Sequence, residues 1–571
     1  MIDMEVRAYQ AQPCYPQVGA APMVGWPAIF ARMLDQARAG AVIAVDGPQI
    51  LPWIDILAAL ESSTEGSPVR AVDVRDQMAP WPTVCALTSS PELADDPHFE
   101  ILATGSLSGL FPTAPVVPRN SDGVTVIFGP GAALADHDLL CYVDLPKRFA
   151  EAVVTSGEGT NLGQRPEDGA ATTKRLFYVD WPLLDRHRDD IADDIALWVD
   201  AGRPEEPVAL EGSALRASLE TLAGQPFRTR PTFNTTPWGG HWAQRQLHMN
   251  QDEANTALGY ELIAPESGIL IGPAADRAAE VPFALLVARH AERIMGSDVH
   301  QVFGTSFPIR FDYLDTVGGG DLSVHCHPQR DYMRDVFGWP YTQHESYYLM
   351  VAGEKSEVFL GLRQDVDIEL FRKAAELANE DGRPFEIRDY VQTLPAQTHQ
   401  LYLIPAGTPH GSGHGNVVLE VSATPYLYSL RFYDWLRHDQ NGRQRAVHVG
   451  HAFDNLNPDR TGQRVLDELV QPARPVRSGT GWTENVIGTL ADMFFEVRRF
   501  ELDPGADAQC DTDGRFHILN VVEGGGVAVL SSAGTHQLSY AETLVVPAAV
   551  GPYRLVPIGT APVRIVKSLV R

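Results

Sequence analysis

Leu322-Ser323-Val324-His325-Cys326-His327-Pro328 is the stretch that decides how this 571-residue chain folds. On a strand, residues two apart point to one face, so His325 and His327 share a side while Cys326 turns away and packs. Two imidazoles on one face can chelate one ion. Further along, Glu345-Ser346-Tyr347-Tyr348-Leu349-Met350-Val351 opens a second strand and offers Glu345 as an oxygen donor. Leu403-Ile404-Pro405-Ala406-Gly407-Thr408-Pro409-His410 then runs from a strand through a tight turn to a third histidine. One His-x-His pair is weak evidence. Three histidines and a glutamate, each in strand context, predict a first-row metal site.

Outward from this centre the chain divides into three textures. Residues 226–475 are rich in short alternating runs with Gly and Pro turns, interrupted by one helical stretch at Asp367–Glu380. That pattern predicts a β-barrel with a helical insertion of about 365–381. Residues 476–571 form a second β-rich unit. It carries Phe516–Gly524 and Glu542–Ala548, but its histidines His517 and His536 lack metal-site spacing, so this barrel is expected to be metal-free. Residues 1–205 alternate helical segments (Trp26–Ala39, Trp53–Leu60) with short apolar runs (Ala41–Val45, Val124–Phe128, Leu139–Asp144, Leu176–Asp180), which predicts a parallel α/β sheet. A connector is expected over 185–225, with helices at Asp189–Asp200 and Ser213–Ala223. Asp46-Gly47-Pro48-Gln49-Ile50 sits where a phosphate loop would follow the first strand. It has no second glycine, lysine or hydroxyl residue to hold phosphate and magnesium. The lobe therefore resembles a nucleoside kinase that has lost its P-loop, and its expected role is non-catalytic.

Composition narrows the partners. Apolar residues make up 44% and charged residues 21%, which is globular, and the formal net charge of -28 repels a nucleic acid. A small anion stays possible, because a few local arginines outweigh a screened global field at short range. The five cysteines show no C-x-x-C spacing, as expected for reduced thiols in the cytoplasm. The start Met1-Ile2-Asp3-Met4-Glu5 has no signal-like apolar region, and no run reaches the ~18 apolar residues of a membrane span.

The metal segments resemble the two motifs of the cupin superfamily and, within it, the type I mannose-6-phosphate isomerases. Leu322–Pro328 is similar to that family's Leu-Ser-Val-Gln-Val-His-Pro segment, and Ala406-Gly407-Thr408-Pro409-His410 to its Ala-Gly-Thr-x-His. Pro237-Trp238-Gly239-Gly240, Phe307-Pro308-Ile309-Arg310-Phe311, Val418-Leu419-Glu420-Val421 and Ser429-Leu430-Arg431-Phe432-Tyr433-Asp434-Trp435 match further family segments in order, so the resemblance spans about residues 230–571. It implies two cupin barrels and says nothing of residues 1–200, so with the α/β lobe read from the residue pattern the expected fold is multidomain, one α/β lobe followed by two cupin barrels. It also implies Zn2+, or another divalent first-row metal, on His325, His327, Glu345 and His410. The implied reaction is aldose–ketose isomerisation of mannose 6-phosphate to fructose 6-phosphate through an enediolate. Arg431 and Glu420 would carry the catalysis, and Ser323, Arg437 and the Gln343 position would contact the substrate. The implied partner is a small sugar phosphate, with neither nucleic acid nor membrane.

Two departures stand out. His325 replaces a family glutamine, which makes the donor set richer in nitrogen. Gln343 replaces a family lysine and can neither carry charge nor transfer a proton, leaving His344 and His414 as candidates to compensate. Two other readings stay open on these residues: an iron-dependent cupin oxygenase, and a non-catalytic sugar-sensing protein.

Overall fold

A computed structural model describes residues 5–63, 69–121, 123–439 and 442–571, so the Met1–Met4 start lies outside the described residues. The N-terminal lobe is built on a seven-stranded sheet. Its order is Met23–Val24, Val208–Glu211, Leu197–Asp200, Leu139–Asp144, Val42–Asp46, Val124–Phe128, Val69–Asp73. The last five strands pair parallel, and the first two add an antiparallel edge. Val42–Asp46 is buried along its whole length, as a strand covered on both faces must be.

Three expectations for this lobe are corrected. Leu176–Asp180 is one turn of π-helix, not a strand, running straight into the helix Trp181–Ile191. The run is apolar because the turn is packed all round: Leu176, Tyr178 and Val179 each enter a different hydrophobic cluster. Asp189–Asp200 divides into the end of that helix and the strand Leu197–Asp200. The segment read as a connector is integral to the lobe, whose sheet runs past residue 205. Val208, Ala209 and Leu210 are buried in it, and the helix Gly212–Leu222 packs behind.

At the end of Val42–Asp46 the chain turns into the helix Trp53–Ser63, the geometry of a phosphate loop. Here the Asp46 carboxylate accepts the N–H groups of Gly47 (2.7 Å), Gly131 (3.2 Å) and Ala133 (2.8 Å) and bonds His187 Nε2 at 2.8 Å. The protein's own anion fills the nest.

The middle unit has a six-stranded sheet and a five-stranded sheet, both antiparallel. The six-stranded sheet runs Leu401–Ile404, Glu345–Ala352, Asn416–Ala423, Ile309–Asp315, Leu258–Leu262, Thr232–Asn234. The five-stranded sheet runs Val391–Pro395, Glu357–Leu362, His410–Ser412, Val324–Cys326, Leu430–Tyr433. The inserted helix is Ile368–Asp381, N-capped by the Asp367 carboxylate and closed by Gly382 in the left-handed region. The last unit repeats the plan with six and four strands. In place of closed barrels, both units are thus pairs of open sheets. The strands are too short and the edges too unlike for the two sheets to join.

The units are tied by buried polar contacts. Asn520 Nδ2 donates to Tyr313 Oη (2.6 Å), which donates to the Ala541 carbonyl (2.8 Å), joining the two sheet pairs. Glu280 joins the lobe to the middle unit. Its carboxylate takes both Nη groups of Arg148 at 2.6 Å and Arg230 at 2.6 Å, and its N–H donates to Asp200. Among the described residues, no helix is long and apolar enough to cross a membrane.

Candidate metal centre

Cross-strand register assembles the site. On the five-stranded sheet His325 lies opposite His410 on one neighbour and opposite Arg431 on the other. On the six-stranded sheet Glu345 starts its strand, and Tyr347, Glu420 and Asp312 lie in one row across three strands. As expected, Cys326 turns the other way and joins Val324, Met333 and Phe337 in a separate core. Gly407, at φ +80°, makes the turn before His410. A Cβ there would meet the Asn455 carbonyl at 2.7 Å.

His325, His327, Glu345 and His410 are all buried. Their donor atoms lie within 4.8 Å of one another, close to twice a metal–nitrogen bond of ~2.1 Å. Each imidazole is oriented through Nδ1 by a backbone carbonyl: His325 on Ser323 O (3.0 Å), His327 on Tyr428 O (3.1 Å), His410 on Thr408 O (2.9 Å). A carbonyl accepts only, so Nδ1 carries the proton and each Nε2 presents a bare lone pair. Glu345 Oε1 stands 2.9 Å from His327 Nε2, and Oε2 3.1 Å from His410 Nε2. His327 Nε2 has no hydrogen-bond partner. Burial, then the neighbouring imidazoles, hold His325 well below the usual histidine pKa, so it is not an imidazolium. Burial opposes ionisation of Glu345, but His327 and His410 outweigh it and keep its pKa well below the carboxylate range. Three Nδ1-anchored imidazoles that turn Nε2 towards one carboxylate form a donor set that a cation between them would satisfy. The four residues fit a divalent metal.

A buried arginine supports this group. Arg310 pairs with Glu345 at 3.0 Å, with Asp312 at 3.4 Å and, closer still, with Glu420. Glu420 also accepts the Ser422 hydroxyl at 2.5 Å. Burial, opposed by Arg310 and reinforced by Asp312 and Glu345, raises the Glu420 pKa well above the carboxylate range. Arg310 was not singled out from the sequence. The available signal was the alternation Ile309-Arg310-Phe311-Asp312, two charges on one face of a buried strand, which require partners.

A cavity of about 210 Å³ opens beside the metal ligands and is lined by Ser323, His325, Glu345, Glu420 and Arg431, and by Arg310, Tyr347 and Thr236. Gln343 and Arg437 are not brought into it. Gln343 is buried and donates through Nε2 to Glu345 Oε1. Arg437 is held by Asp434 at 3.0 Å and by the Asp321 carbonyl. His344 accepts the Ala406 N–H, and His414 is exposed beside Asp321. Arg431 donates from Nη1 to the Ala446 carbonyl, and its buried Nε has no partner. Burial, then Arg445, lowers its pKa to about 10 against Asp434.

The family described as "Domain of unknown function (DUF8485)" matches residues 25–224. The mannose-6-phosphate isomerase of Streptococcus mutans is 27% identical over 233 residues, 41% of this chain and 68% of that one. The probable mannose-6-phosphate isomerase GmuF of Bacillus subtilis is 20% identical over 339 residues, 58% of this chain and 96% of that one. The crystal structure of a mannose 6-phosphate isomerase from Bacillus subtilis superposes with a TM-score of 0.47 at 19% identity, covering 60% of this chain and 99% of that one.

Proposed function

We propose that this chain is a metal-dependent aldose–ketose isomerase that interconverts mannose 6-phosphate and fructose 6-phosphate. The observation that carries the reading is a cage of three Nδ1-anchored histidines and Glu345 opening onto a small polar cavity, with Glu420 and Arg431 in its wall. The two curated isomerases that match the sheet-rich part support it. Zn2+ on His325, His327, Glu345 and His410 would polarise the sugar carbonyl. Glu420 is positioned by Arg310 and Ser422 to take the proton from C2 of the aldose and return it to C1 of the ketose. The Arg431 guanidinium, charged and lacking a carboxylate in ion-pair contact among the described residues, is suited to hold the enediolate oxygens. Cavity residues Thr236 and Tyr347 each carry a buried hydroxyl without a partner, which the hydroxyls of a sugar would satisfy. Ser323 lies beside the ligands for a substrate contact. Gln343 acts through Glu345, and Arg437 through Asp434.

In this reading the two sheet pairs are cupin-type units, the first metal-binding and the second structural. The N-terminal lobe is a kinase-like unit without a phosphate loop, in a cytoplasmic protein whose five cysteines are free. The test is a coupled assay for fructose 6-phosphate formed from mannose 6-phosphate, with bound metal measured in the same samples. His327→Ala is expected to lose both metal and turnover. Equal rates for the two proteins, or turnover only with oxygen, would overturn the proposal.

A further inference from the structure

The N-terminal lobe covers the mouth of the candidate active site. The inner cavity continues into a cleft of about 640 Å³ between lobe and middle unit, and the two share Thr236, Leu258, Tyr260, Tyr426, Ser429 and Arg431. The lobe's share of the outer wall comes from His98 and Phe99, from the helix Lys147–Thr155, and from the turn at Thr173–Tyr178. A ligand whose reacting end lies at His325 and Glu345 therefore extends past Arg431 towards the lobe.

The charges in this passage are uneven. Arg431 has no ion-pair partner among the described residues, although it is half-buried. The nearby Asp434 is already engaged by Arg437 and Arg445. An arginine so placed is stabilised by an anion that the chain does not supply. The lobe brings a further cation. Lys174 is the sole lysine among the described residues lining either cavity. Its ammonium donates to the Leu93 (3.1 Å) and Asp96 (2.6 Å) carbonyls and pairs with Glu100 at 3.7 Å, partners that a phosphate would join. The His98 ring packs edge-on against His448 at 5.0 Å, and His448 Nδ1 accepts the backbone N–H of Arg431, so one ring separates the lobe from the strand that carries the guanidinium. Burial, opposed by Asp96 and reinforced by Arg431 and Lys174, lowers the His98 pKa, so His98 offers a ring N–H rather than a charge. The carboxylates of the same cleft, Glu151 and Glu266, would repel an anion beside them. Arg148 is spent on Glu280.

We propose that the lobe is part of the substrate site and that the phosphomonoester end of the substrate binds at the junction, beyond Arg431 of the middle unit and against Lys174 and His98 of the lobe. This supplies, from a different part of the chain, the cation that Gln343 cannot carry. It rests on the sugar-phosphate reading above. A charge-assisted hydrogen bond to phosphate sets the scale.

The test uses the full-length, zinc-loaded protein with the variants Lys174→Met, Lys174→Arg and His98→Ala. Steady-state kinetics with mannose 6-phosphate and calorimetric titration with inorganic phosphate are both recorded. Lys174→Met is expected to raise KM and the phosphate Kd roughly 10–100-fold with kcat changed less than about threefold. Lys174→Arg should restore most of the loss, and exposed His98→Ala should weaken binding by roughly 3–10-fold. Unchanged KM and phosphate Kd in both Lys174→Met and His98→Ala overturn the junction site while leaving the isomerase reading intact. Phosphate binding that is lost in Lys174→Met, in a wild type without isomerase activity, keeps the junction site and refutes the isomerase.

Discussion

Replacing Arg310 with methionine should destabilise the middle unit by several kcal/mol, about 3–5 before proton uptake, and the cost should depend on pH. The guanidinium is fully buried and stands between Glu345, Asp312 and Glu420. Methionine fills similar volume but leaves three carboxylates without their cation. Breaking a buried ion pair from one side costs about 3–5 kcal/mol. Part of this is offset by proton uptake. Burial, against Arg310, already places Asp312 at about 6, and Glu420 lies well above the carboxylate range. Both pKa values rise further without Arg310, so the native variant holds protons that the unfolded chain has lost. Its stability therefore falls as pH increases from about 6 to 8, by ~1.4 kcal/mol for each proton retained through each pH unit. Thermal unfolding of the zinc-loaded protein should show a drop of roughly 6–20 °C at pH 8 and a smaller one at pH 6. Adding Glu420→Gln removes one of the stranded charges, and the double variant should recover ~0.5–3 kcal/mol relative to additivity. A loss below about 1 kcal/mol at both pH values, or full additivity with Glu420→Gln, would refute the role given to Arg310.

Chelation should lower the melting temperature of the wild type. Zinc at a thousand times its Kd contributes about 4 kcal/mol, and His327→Ala should not respond to chelator. Gln343→Leu removes the N–H that orients Glu345, so competition titration should show zinc binding weakened about 10–100-fold. Burial, then Glu266, pushes Glu151 up to about 7, so the native state keeps a proton there that the unfolded chain loses above its ordinary pKa. That contribution falls as pH rises from about 5 to 7, and Glu151→Gln should stabilise by ~1–2 kcal/mol more at pH 8 than at pH 5 in parallel melts.

What could be foreseen depended on how far apart the interacting residues lie in the chain. His325 and His327 were legible because strand parity acts over two residues, and the strand Val124–Phe128 because an apolar run bounded by turns is local. Leu176–Asp180 misled for the same reason: five apolar residues look alike as a buried strand and as a turn packed on all sides. Arg437 belongs to a motif the eye extends by similarity, yet Asp434, three residues away, captures it. Arg310 gained its meaning only when Glu345 and Glu420 arrived from 35 and 110 residues along the chain. Lys174 and His98 carry no local mark at all, since the middle unit that makes them part of a cleft begins at residue 226, well beyond either of them in the chain.

The strand-to-helix turn of the lobe is occupied by the chain itself. A strand-to-helix turn exposes N–H groups that attract an anion, and in a phosphate loop a nucleotide supplies it. Here Asp46 supplies it from within the chain, with His187 behind. The turn keeps its shape without a ligand, and a phosphate arriving there would have to displace a buried carboxylate already bonded to three backbone N–H groups. A cationic response to phosphate must then lie elsewhere on the lobe. In the junction reading it lies on the surface facing the middle unit, where Glu280 clamps the lobe through Arg148 and where Lys174 and Arg431 line one cleft. Filling the nest and building a wall for the cleft are compatible demands on one scaffold: the first is met at the end of the central strand Val42–Asp46, and the second on the face that meets the middle unit.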